Sequence, residues 1–195
     1  MKAMKRLGII AVVIIVLVVV VGLMLPQDYV VSREIVIAAP ADQVHAYVGE
    51  LKKWDDWGPW KDGDPTVEVT LGEKTTGVGA SQSWTADSGD GKLVFTQCDA
   101  SAGIAYDMEF ADWDEGCKAS VTYQAQGEGT LVTWEMTGSV PTPVIGGYFA
   151  RMMPGMISPM FELGLQKLKT CVEKELIEET EAEESAVDQP AGQAS

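Results

Sequence analysis

Histidine is almost missing from this chain: among 195 residues there is one, His45. Basic residues are scarce too, 14 Lys and Arg against 29 Asp and Glu, for a formal charge of -15. A phosphate-rich partner needs a basic surface to release its counterions, so nucleic acid is excluded as a ligand. An anionic membrane surface suits the folded part poorly on the same ground. With only three cysteines, Cys98, Cys117 and Cys171, at least one is unpaired. No internal repeat and no metal-type spacing of His, Cys and carboxylates is present. The acidic pairs Asp55-Asp56 and Asp112-x-Asp114 fall in breaks and turns, where carboxylates cap and solvate, and receive no metal or catalytic role.

What is there begins with an apolar run. Nineteen residues from Leu7 to Leu25 carry no charge and no strongly polar side chain. At about 1.5 Å per residue they reach roughly 28 Å, close to the ~30 Å of a bilayer's hydrocarbon core. A soluble core helix would carry a polar stripe, and a cleaved signal peptide has a shorter apolar region and an Ala-x-Ala-like site. Gly22-Leu-Met-Leu-Pro-Gln27 offers no such site, and no Cys follows closely as a lipoprotein anchor would need. Residues 1–27 therefore read as a single-pass transmembrane signal anchor. Lys2, Lys5 and Arg6 precede the span, so the positive-inside rule keeps the N-terminus cytoplasmic and places the domain outside the cytoplasm.

From Tyr29 to Ile37 the chain alternates as a strand, with Val31, Arg33, Ile35 and Ile37 on one face. Pro40 then suits a first helical turn, and Val44, Tyr47, Val48 and Leu51 follow at helical spacing. His45 lies about 100° from Val44 on that helix, off the apolar face, and reads as a solvated position. Trp54, Trp57 and Trp60 come next, with Gly58-Pro59 stopping the helix. As structure they would close one end of the core; as function, Trp57 and Trp60 would border a cavity mouth.

Six further strands are predicted at Thr66–Leu71, Val78–Ala86, Lys92–Cys98, Gly103–Phe110, Lys118–Ala125 and Gly129–Ser139. Turn residues separate them, among them the segment Asp112–Gly116. Period-two parity groups Ile104, Tyr106, Met108 and Phe110; Val132, Trp134 and Met136; Val78, Ala80, Gln82 and Trp84; and Ala119, Val121, Tyr123 and Ala125. The inward face is thus aromatic, aliphatic and Met-rich, with Tyr106, Tyr123 and Gln82 as its polar handles. In such a meander Cys98 and Cys117 lie at opposite ends of the sheet, too far apart for a disulfide. Tyr148–Met153 then opens a helix that Pro154-Gly155 is expected to interrupt, with a kink or break between Met153 and Pro159. Met152, Met153, Met156 and Met160 gather there. The apolar rhythm fades near residue 180 into an acidic tail, 181–195, expected to be disordered.

The order of strand, Ala38-Ala-Pro-Ala41 helix entry and Trp54-Asp-Asp-Trp-Gly-Pro-Trp60 break resembles the polyketide cyclase/dehydrase-like members of the SRPBCC (START-like) superfamily. The late strand Gly129-Thr-Leu-Val-Thr-Trp-Glu-Met-Thr-Gly138 and the helical segment Gly155–Lys169 match the family's far end. The resemblance covers roughly residues 28 to 176, and it is the order of these core and turn motifs that carries it. It implies an α+β helix-grip fold over residues 28–180, a seven-stranded antiparallel sheet around a long C-terminal helix and an apolar cavity. The ligand class it implies is a hydrophobic or lipid-like small molecule. Together with strand parity it selects Trp57, Trp60, Gln82, Trp84, Tyr106, Met108, Tyr123, Trp134, Met136, Met156 and Met160 as candidate ligand-binding residues. No catalytic residue, cofactor or metal is assigned. Two other readings stand beside ligand binding. One is a cyclase/dehydrase-like enzyme in which Tyr106 or Tyr123 polarises a carbonyl; the other is an accessory or chaperone-like domain for another membrane protein.

Overall fold

The computed structural model describes residues 2–111 and 113–187. Helix α1 (Lys2–Met24) contains the apolar run, and its window Lys5–Met24 has a mean hydropathy of 3.4 with 6 % of that window buried. An apolar helix left this bare has found no core of its own to enter. By length and composition it can cross a bilayer.

Strand β1 (Asp28–Ile37) and helix α2 (Ala41–Val48) follow as expected, with extended Pro40 as the N-cap rather than inside the first turn. A 3₁₀ turn at Leu51–Lys53 leads to α3 (Trp54–Trp57), and after Gly58-Pro59 the short α4 (Trp60–Gly63) completes the tryptophan-rich segment. The meander then runs β2 (Glu68–Leu71), β3 (Ser81–Thr85), β4 (Gly91–Asp99), β5 (Gly103–Phe110), β6 (Trp113–Gln126) and β7 (Gly129–Ser139). All neighbours are antiparallel in the order β1-β7-β6-β5-β4-β3-β2, so the first strand closes against the last. Helix α5 (Gly146–Val187) lies on the inner face, chiefly against β1 and α3. The protein is therefore an α+β helix-grip domain with one N-terminal apolar helix.

Several local expectations need correction. The segment Trp113–Gly116 belongs to β6 rather than to a turn. A register shift between Met108 and Phe110 absorbs it, helped by Gly116 at φ 61°, a conformation other residues adopt with strain. Val78 precedes β3 and is exposed, because it sits in a turn between Gly77 at φ 70° and Gly79 at φ 85°, closed by the Ala80 N–H donating to the Gly77 carbonyl at 3.0 Å, which breaks the period-two alternation. Helix α5 is continuous through Pro154 and Pro159: tertiary packing of Ala150, Phe161, Leu165, Leu168 and Val172 outweighs the hydrogen bonds the prolines remove. It also runs past residue 180 to Val187, through Glu- and Ala-rich sequence that favours helix, with Lys174 and Glu178 paired one turn apart at 3.6 Å. Residues 188–195, the end of the expected acidic tail, and Asp112 of the Asp112-x-Asp114 pair lie outside the described residues.

Candidate functional site

The space between sheet and gripping helix is closed by aromatic rings. Trp54 anchors them: its Nε1 donates to the Val48 carbonyl at 2.9 Å, and its ring meets Trp57, Phe95 and Tyr106 at 5.3, 5.6 and 5.5 Å. Trp57 and Trp60 both reach Trp134, at 5.5 and 5.7 Å. Trp134 stacks on Phe161 of α5 and donates from Nε1 to the Tyr106 hydroxyl at 3.0 Å. Trp57 is 0 % exposed, so it belongs to the core rather than to a mouth. Full burial also pushes the Tyr106 phenol well above its ordinary pKa.

The open space lies to one side, where α3 and α4 stand off the edge strands. There a recess of 420 Å³ is lined by Leu51, Trp54, Gly58, Trp60, Val67, Val69, Leu71 and Gln82. Exposed Lys52, Asp55, Lys61 and Glu68 form its rim, with Lys61 paired to Asp55. Gln82 is placed by strand parity: it sits on the inner face of β3 between Leu71 and Leu93 and is 4 % exposed. Among the described residues its Oε1 is buried with no hydrogen-bond partner, and the same holds for Trp60 Nε1 in the recess and for Gln43 Oε1, Trp57 Nε1 and Ser158 Oγ outside it. An unpaired buried polar group costs roughly 1–3 kcal/mol, and Gln82 and Trp60 are residues of this kind that also line the recess, their polar atoms covered in this state. The wall has the chemistry to take an apolar body, and a turn of the Trp60 ring and the Gln82 side chain would bring an N–H donor and a carboxamide to its surface.

The remaining candidates fall elsewhere. Trp84 packs edge-on against Phe110 at 5.7 Å, on the strand ends nearest α1. Met108 is buried beside a wider, shallower groove of 740 Å³ shared with Tyr29, Phe110, Trp113 and Cys117, and Met136 is buried between Val31 and Ala119. On α5, Met160 is half-buried, but Met156 is 65 % exposed and turned away from the interior. The uninterrupted helix rotates it there; the expected break at Pro154 would have freed it to turn inward.

Tyr123 belongs to a cluster that parity missed. His45 is half-buried, not solvated: Nδ1 lies 3.3 Å from the Tyr123 hydroxyl and Nε2 lies 3.4 Å from Cys98 Sγ. A register shift between Phe95 and Gln97 turns Cys98 instead of Gln97 toward α2, which brings these three together. Burial lowers the His45 pKa from 6.5, with Asp99 pulling weakly the other way. Burial raises the Tyr123 phenol, and Cys98 adds to it. Among the described residues no group of three or more metal-type ligands occurs.

The family described as polyketide cyclase/dehydrase and lipid transport matches residues 29–173. No curated protein sequence matches. Among solved structures, the chain is similar to StfQ, the di-domain ARO/CYC from the steffimycin biosynthetic pathway, at a TM-score of 0.58 and 15 % identity, over 78 % of this chain and 52 % of that one. Protein CV1439 from Chromobacterium violaceum gives a TM-score of 0.56 at 15 % identity, over 74 % and 96 % of the two chains. XoxI from Bacillus cereus gives 0.56 at 14 %, over 74 % and 95 %. At such identities the likeness concerns the fold.

Proposed function

The chain belongs to the polyketide cyclase/dehydrase and lipid transport family, and from that membership we propose that it is a membrane-anchored binding domain for a hydrophobic or lipid-like molecule. The ligand's apolar body lies against Leu51, Trp54, Val69 and Leu71, and its polar end takes the Trp60 N–H and the Gln82 carboxamide. The observation that carries this reading is the recess itself, where Leu51, Trp54, Val67, Val69 and Leu71 meet Trp60 and Gln82, whose buried Nε1 and Oε1 have no hydrogen-bond partner among the described residues. Anchoring rests on α1, bare and long enough to span, and the charges Lys2, Lys5 and Arg6 orient the domain to the extracytoplasmic side.

Mass spectrometry of molecules that co-purify with the gently extracted full-length protein tests the reading. So does titration with fatty-acyl fluorophores, expected to saturate at about one per chain. Trp60→Phe keeps the apolar ring and removes the N–H, and Gln82→Leu removes the carboxamide. Each should weaken binding about tenfold, the equivalent of one hydrogen bond. Saturable binding that ignores both substitutions in folded protein overturns the site.

The accessory-domain reading draws support from one observation, the dense aromatic filling by Trp57, Trp134 and Phe161 where the sequence leads one to expect a cavity. Absence of any co-purifying molecule and of saturable binding would favour it. The cyclase-like reading has less support. Tyr106 is sealed in the core with Trp134 on its hydroxyl, and burial raises both candidate phenols, which makes them poorer acids.

A further inference from the structure

The first turns of α5 expose an apolar stripe that none of the described residues covers. Ile145, just before the helix, and Phe149 are each 49 % exposed, Met152 is 57 % and Met156 is 65 %. At about 100° per residue these positions fall within a sector of about 60°, so they form one face.

A second observation says what that face meets. The Tyr148 hydroxyl donates to the Val18 carbonyl of α1 at 2.8 Å. Gly22 is buried against the same segment, where any Cβ would collide with the Val144 carbonyl, and Gly147 packs on Leu25 in the same way. The Gln27 side chain donates to the Thr142 carbonyl at 3.2 Å. Val144 adopts φ 69°, strained for a β-branched residue and held by this close approach. Val18 lies seven residues before Leu25, so Tyr148 reaches roughly 10 Å below the end of the apolar run, within the ~15 Å of one hydrocarbon leaflet.

We propose that the stripe Ile145, Phe149, Met152 and Met156 is immersed in the leaflet of the bilayer that α1 crosses, so that the domain is docked on the membrane rather than tethered above it. The proposal rests on reading α1 as a membrane span. A recess of 450 Å³ lined by Phe110, Trp113, Phe149 and Met153, and by Ser88, Asp90 and Thr142, would then lie at the membrane surface.

The test is nitroxide accessibility on the full-length protein in phosphatidylcholine vesicles, in a background with the three native cysteines replaced by serine. Labels are placed singly at Val12→Cys, Phe149→Cys, Met156→Cys and Glu178→Cys. The Phe149 and Met156 labels should collide with oxygen readily and with a water-soluble nickel chelate severalfold less than the Glu178 label does. A Val12 label in lipid with aqueous Phe149 and Met156 labels overturns the docking and leaves the anchor standing; an aqueous Val12 label overturns both. Gly22→Leu should move the Phe149 label toward water without moving the Val12 label. No movement refutes the α1–α5 contact as the cause.

Discussion

Trp134 of β7 lies flat on Phe161 of α5, with ring centroids 4.1 Å apart and planes 5° from parallel. The stack fastens the gripping helix to the sheet and fills the volume beneath it. Truncating a buried aromatic costs about 3–5 kcal/mol, so Trp134→Ala and Phe161→Ala should each lose that much stability in urea unfolding of the detergent-solubilised protein. Because the rings touch, the double variant should lose less than the sum. A loss under about 1 kcal/mol for either single variant would mean that the rings do not pack as described.

Neighbouring residues on β5 separate inside from outside. Met108 is buried between Leu93 and Cys117, whereas exposed Glu109 pairs with Lys92 at 2.9 Å. Met108→Lys should destabilise by several kcal/mol or prevent folding, since an ammonium there has no partner. Glu109→Lys removes only an exposed ion pair and should change stability by about 1 kcal/mol at most. Equal effects in thermal unfolding would show that the strand face is misassigned.

Period-two alternation was a sound guide wherever strands run regularly, which is why β5 and β7 have the expected bounds and Tyr106, Met108, Trp134 and Met136 are inside. It failed at register shifts. The shift after Phe95 turns Cys98 toward His45, and no local pattern announces it. Proline signals misled for a similar reason: burial along α5 is a tertiary term that local propensity does not contain. Of the recess, Trp60 and Gln82 were legible, one from the tryptophan spacing and one from parity. Its position was not, because it forms between segments far apart in sequence, and because Trp57, expected to border a cavity mouth with Trp60, is packed into the core instead.

Cysteine chemistry follows from the register. Cys98 faces Ile104 and Cys117 faces Met108, four residues along β5, or about 14 Å at roughly 3.4 Å per residue. A disulfide needs Cα atoms within about 7 Å, so non-reducing peptide mass analysis should find no Cys98–Cys117 crosslink. Burial pushes the Cys117 thiol up to about 11, with Asp107 adding to it. It should therefore alkylate more slowly than half-buried Cys98 and Cys171 near neutral pH. Fastest labelling at Cys117, or the crosslinked peptide, would require a different register.

His45 should make stability depend on pH with a definite sign. Burial lowers its pKa in the folded state below the 6.5 of the unfolded chain. Below about pH 6.5 the unfolded state takes up the proton first, so stability falls as pH drops toward the folded pKa and levels off beneath it. Above about pH 7 the imidazole is neutral in both states and contributes no slope. As the only histidine in the chain, His45 gives an isolated signal. Its ring-proton NMR titration should have a midpoint below 6.5. In urea unfolding between about pH 7 and pH 5, the wild type should lose more stability than His45→Gln does. A midpoint at or above 6.5 would mean that the contacts with Tyr123 and Cys98 leave the ring open to water.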